Sequence, residues 1–208
     1  AAAYVEGELA ALGLARTAQR YVVQGVECRN VESVLRGTAG KAERVIVGAH
    51  YDSVYCSPGA DDNTSGVAAM LEVARSLCAS PPARDVMFVG FVNEEPPFFT
   101  TAEMGSRRHA AEMRRQGGRV HAMLSLESLG YYDDRPDSQH YPAGLGLFYP
   151  DTANFVAVVG CLSQRAFTQH FSTLLSARSS VPVECAAMPA WLPGVSWSDH
   201  ASYWEQGY

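Results

Sequence analysis

The sequence predicts an α/β fold whose sheet is largely parallel at its centre, and three observations predict it. Three short apolar runs, at 45–49 (VIVGA), 85–92 (DVMFVGFV) and 120–126 (VHAMLSL), have the length and residue types of buried strands. Segments with helical spacing, at 63–79 and 102–116, separate them, which is the pattern of parallel crossover units. Each run stops on a candidate ligand or acid: His50, then the pair Glu94-Glu95, then Glu127.

The other elements follow in order. Ala, Leu and Val at helical spacing over 3–13 predict a helix ended by Gly13. Residues 20–24 and 30–36 read as strands that pair as an antiparallel edge, and 37–43 turns the chain into the first buried strand. In the 63–79 segment, Val67, Met70, Leu71, Ala74 and Leu77 share one helix face. Pro81-Pro82 closes that region, and Gly117-Gly118 ends the next helix. Residues 130–154, rich in Tyr, Pro and acidic side chains, read as a long insertion of the kind that serves a site or a lid. Strands are expected at 155–159 and 181–186, helices at 161–176 and 199–206.

Composition narrows the function. At 208 residues, 47% apolar and 18% charged, residues 1–208 are expected to form a single globular domain. A net charge of −6 argues against sequence-independent nucleic-acid binding, which needs a basic surface. No run is long enough to span a bilayer. The chain opens on Ala1-Ala2-Ala3, without a Met start, a basic leader or a cleavage site, which suggests upstream sequence. Five cysteines without a C-x-x-C spacing argue against a cysteine zinc knuckle.

In parallel sheets, sites form beyond the carboxyl ends of the strands. That rule brings His50, Asp61, Glu94, Glu95 and Glu127 to one edge. Carboxylates gathered there repel one another, and burying them unpaired costs several kcal/mol each, a conflict that a divalent cation removes. Adjacent Glu94 and Glu95 point to opposite sides of an extended chain, so they suit different tasks, one holding metal and one acting as a base. His109, in a charged helix, is expected at the surface, and at least two of Trp191, Trp197 and Trp204 in the core.

Five motifs carry a resemblance: HYDS (50–53), GADDN (59–63), NEE (93–95), LESLGY (126–131) and SDH (198–200). Together, over about residues 40–208, they resemble the zinc aminopeptidases of metallopeptidase family 28, a group that includes glutamate carboxypeptidase and, more distantly, glutaminyl cyclase. The resemblance implies a three-layer α/β/α sandwich around a mixed, centrally parallel sheet. It implies zinc, two ions in the complete protein and one or none in this stretch. Asp61 is implied to bridge the ions, with a cis bond to Asp62; His50 and Glu127 complete one site; Glu95 serves the other. Glu94 is implied as the general base, Asp52 as the residue that orients His50, and Asp62, Asp199 and His200 as residues close behind the ligands. The last ligand of the second ion is expected beyond Tyr208, so the domain is expected to be incomplete at its C-terminus.

The function expected on these grounds is metal-dependent hydrolysis of a peptide or small amide by an aminopeptidase, with secretion as the leaning of the resemblance. A glutaminyl-cyclase-like acyl transfer on one zinc and a non-catalytic binding module on the same scaffold are the alternatives.

Overall fold

The computed structural model describes residues 1–141 and 144–208 and divides into two compact units, 1–130 with 198–208, and 131–197. Pro142 and Ala143, in the expected insertion, lie outside the described residues.

The first unit is built on a five-stranded sheet. Helix α1 (Ala2–Ala11) leads into β1 (Thr17–Val23) and β2 (Val26–Leu35), which pair antiparallel. Their turn is tighter than the sequence suggested: Gln24 (φ 49°) and Gly25 (φ 80°) both take the left-handed region, as a two-residue hairpin requires. β3 (Arg44–His50), α2 (Thr64–Ala79), β4 (Val86–Phe91), α3 (Gly105–Arg115) and β5 (Val120–Ser125) follow. The strand order is β1-β2-β4-β3-β5, with β3 parallel to both β4 and β5 and β2 antiparallel to β4. The short helix α5 (His200–Glu205) returns to this unit.

Alternation along the strands divides the core into two layers. Val47, Ala49, Val86 and Phe88 face α1 and α2, packing with Val5, Leu9, Val67, Met70 and Ala74. Ile46, Met87, Val89 and Phe91 face the other way, onto Ala110 and Met113 of α3 and Tyr203 of α5. All six residues of β4 are therefore buried. This is the three-layer α/β/α arrangement with a mixed sheet.

The second unit holds β6 (Val156–Cys161), α4 (Arg165–Ser176) and β7 (Val183–Met188). The two strands pair in parallel as a separate two-stranded sheet, joined through α4 as parallel strands require. Residues 131–141 and 144–155 carry no strand, only a single 3₁₀ turn at Leu145–Leu147. Trp191 and Trp197 are 80% and 64% exposed, so the expectation that two of the three tryptophans pack in the core is not met.

Candidate metal centre

Register explains why the site residues meet. His50 pairs with Phe91 across β3 and β4, and Gly48 with Ser125 across β3 and β5. β3 and β4 thus end level and β5 stops two residues short, and the residues just past those ends, Glu94-Glu95 and Glu127, come to the edge where His50 ends β3.

The His50 imidazole is 1% exposed. Its Nε2 lies 3.1 Å from Asp62 Oδ1, 3.4 Å from Glu127 Oε1 and 3.8 Å from Glu94 Oε2. Its Nδ1 faces Asp52, 3.2 Å from the carbonyl oxygen and 3.6 Å from Oδ1. Two overlapping groups have ligand atoms within 4.8 Å of one another: His50, Asp62 and Glu127, and His50, Glu94 and Glu95.

Asp52 joins two strand ends. Its Oδ1 accepts the Glu94 N–H at 3.3 Å and its Oδ2 the Glu95 N–H at 3.1 Å. Glu127 is held from outside the cluster, since the Ser198 hydroxyl donates to Oε2 at 2.9 Å and the Ser128 hydroxyl to Oε1 at 3.2 Å.

At positions 61 and 62 the arrangement around His50 differs from the expectation by one residue. Asp61 lies in neither group; its Oδ1 accepts the Gly130 N–H at 2.6 Å. Asp62, expected behind the ligands, faces His50 instead. The cis peptide bond is correspondingly Asp62–Asn63, not Asp61–Asp62. His200 also lies in neither group; its ring packs edge-on against Trp204 with centroids 4.5 Å apart. Asp199 is fully buried at the start of α5, and among the described residues neither carboxylate oxygen has a partner in hydrogen-bond geometry.

The protonation equilibria show a cluster in electrostatic conflict. Burial alone would lower the His50 pKa, but bonds to Asp52 and Glu127, with the charges of Asp199 and Glu127, outweigh it and push it up to about 12. Burial raises Glu94 to about 9, assisted by the charges of Asp199, Glu127 and Glu95 against that of His50. Asp199 is raised to about 7, chiefly by burial. Burial also raises Asp62 and Glu95, with Glu127 adding to the first and Asp62 to the second. Glu127 alone is lowered: burial opposes this, and its bonds from His50, Ser198 and Ser128 prevail. Among the described residues, Glu95 Oε1 is buried without a partner. Hard oxygen donors and one imidazole, converging with excess negative charge and an orphaned oxygen, fit a zinc-type cation.

Sequence reasoning missed His109. It is 3% exposed, not a surface residue, and its Nδ1 lies 2.6 Å from the Tyr203 hydroxyl. The signal available was Met113 and Ala110 on the same face of α3.

Comparison with known proteins bears on the family and the fold. The profile of peptidase family M28 matches residues 30–177. An uncharacterized Escherichia coli protein, YfbL, is 37% identical over 213 residues, covering 98% of this chain and 64% of the relative. The Bacillus subtilis aminopeptidase YwaD is 53% identical over 51 residues, 24% of this chain and 11% of the relative. The chain thus spans less than two-thirds of the length of either relative. The crystal structure of the Legionella pneumophila LapA aminopeptidase superposes with a TM-score of 0.70 at 21% identity, over 99% of this chain and 51% of that one. At that identity the likeness concerns the fold.

Proposed function

The chain belongs to peptidase family M28, and from that premise we propose that it carries the catalytic centre of a zinc-dependent aminopeptidase, hydrolysing the peptide bond next to a free amino terminus. The observation that carries this reading is the buried His50, whose Nε2 has three carboxylates at 3.1, 3.4 and 3.8 Å.

His50, Asp62 and Glu127 would hold one ion, and Glu95, close enough for the Asp62 charge to raise its pKa, would supply part of a second site. When bound, zinc polarises the scissile carbonyl and lowers the pKa of water towards neutrality. The protein's own part is proton transfer and alignment. Glu94 Oε2 takes a proton from the attacking water and returns it to the leaving amine nitrogen. Its pKa, raised chiefly by burial and further by the neighbouring negative charges, falls once cationic charge offsets those charges. Asp52 holds the backbone on which Glu94 and Glu95 stand. The full acidic set favours two ions over the single ion of a glutaminyl-cyclase-like acyl transfer, and counting zinc per chain separates the two.

Replacing Glu94 with Gln tests the assignment. Turnover of an aminoacyl amide should fall about 10²- to 10⁴-fold while zinc content is retained. Near-normal turnover with zinc bound would remove Glu94 from the role.

A further inference from the structure

Asp61, Asn63 and Ser65 form a clamp around the ligand-bearing loop after β5. The Asn63 amide nitrogen donates to the Leu126 carbonyl at 2.9 Å, and its oxygen accepts the Ser128 N–H at 3.2 Å and the Gly66 N–H at 3.0 Å. The Ser65 hydroxyl accepts the Leu129 N–H at 2.8 Å and donates to the Asp61 carbonyl at 2.6 Å. Asp61 Oδ1 closes the set on the Gly130 N–H at 2.6 Å. Four residues of the 126–130 loop are therefore tied to the start of α2 by three alternate side chains. Asp62 lies inside the clamp on one side and Glu127 on the other.

The approach is close enough to require glycine at 66 and to leave little room for a Cβ at 130. A Cβ on Gly66 would lie 2.3 Å from the Leu126 carbonyl oxygen, and one on Gly130 would lie 3.0 Å from Ser65 Cβ and 3.1 Å from Asp61 Oδ1. The last sheet-like bond to this loop is Leu126 N–H to the Gly48 carbonyl at 2.8 Å. Beyond it, Glu127 leaves the sheet, and Ser128 takes a left-handed φ of 47°. The loop therefore relies on the clamp for its course.

We propose that Asp61 is a positioning residue that does not ligate metal: its carboxylate holds the Gly130 N–H, so that Glu127 faces Asp62 and His50 across the cation site. The proposal rests on the metal reading above. An orienting residue behind a ligand typically changes metal affinity about 10- to 100-fold. An amide oxygen accepts an N–H as a carboxylate does, but it carries no charge for a cation. Clamp and ligand therefore predict opposite outcomes for Asp61→Asn.

The test is zinc titration calorimetry on the whole chain and on Asp61→Asn, Asp61→Ala and Asp62→Asn. Melting of the metal-free proteins and hydrogen exchange of the Gly130 amide are read alongside. The clamp predicts that Asp61→Asn stays within about 3-fold of wild type and that Asp61→Ala weakens zinc about 10- to 100-fold. Gly130 protection is lost only in the Ala variant. Asp61→Asn losing as much affinity as Asp62→Asn would make Asp61 a ligand and overturn the proposal. Asp61→Ala with wild-type affinity would overturn it too. If Asp61→Ala does not fold, Ser65→Ala serves: weaker zinc with unchanged melting supports the clamp, and unchanged zinc affinity refutes it. A wild-type chain that takes up no zinc sinks the metal reading, and Gly130 protection then decides the clamp by itself.

Discussion

Asp52 ligates nothing in either group, yet both depend on it. One carboxylate spans the gap between two strands, accepting the N–H groups of Glu94 and Glu95 while lying beside His50 Nδ1. Removing it leaves two N–H groups to find new partners and takes the carboxylate charge from beside His50 Nδ1, which keeps the Asp52 carbonyl oxygen at 3.2 Å. Asp52→Ala should weaken zinc binding about 10- to 100-fold, measured by titration, with the fold retained by circular dichroism. Unchanged affinity would mean that the strand ends set the geometry without it. At this scale the sequence was legible in residue type but not in address. His50, Glu94, Glu95 and Glu127 sit at strand ends, where register decides position. Asp61 and Asp62 sit in a turn with no periodicity, so nothing in the residue order tells which side chain faces the imidazole. A one-residue difference there separates the carboxylate that faces His50 from the one that accepts the Gly130 N–H.

Between elements, the contact of β2 with α3 holds a half-buried titratable group, Glu32, outside the metal centre. Glu32 Oε1 lies 3.8 Å from His109 Nε2, whose ring meets Tyr203 and the edge of Phe91. Burial raises the Glu32 pKa from 4.5 to about 7, with Arg44 opposing. The folded state therefore keeps a proton that the unfolded chain releases. This contribution is complete below pH 4.5 and is lost as the pH rises through about 7. Gln mimics the protonated acid, so wild type should lose about 3 kcal/mol relative to Glu32→Gln over that interval, read from urea melts. A pH-independent difference would contradict the shift. His109 works in the opposite direction. Burial, then the charge of Arg44, holds its pKa down at about 4, so its contribution is lost as pH falls from 6.5. Periodicity located the helices and strands because apolar spacing directly reflects which face is covered. It did not reveal His109, because a polar residue on a buried face looks the same in sequence as one in solvent.

For the molecule as a whole, the sheet sets the site and the two helical layers hold the sheet. Apolar burial on both faces of β3 and β4 keeps those strands from slipping, and a slip of one residue would turn His50 to the other face. Cation binding should feed back on this frame. At free zinc one hundred times the dissociation constant, the folded state gains about 2.7 kcal/mol. For a chain of this size that is a rise in melting temperature of roughly 5–11 °C, reversed by a chelator; a melting curve indifferent to zinc would separate the site from the fold. The layer order and parallel pairing were legible from alternating apolar runs and helices. The division into two units was not, because the β6-α4-β7 segment has the same strand-helix-strand signature as the larger sheet and differs only in which strands it pairs with. The most direct measurement is anomalous diffraction at the zinc absorption edge from crystals grown with zinc. The account predicts a peak coordinated by His50 Nε2 and the carboxylates of Asp62 and Glu127. Zinc coordinated elsewhere, or by Asp61 in place of Asp62, would contradict it.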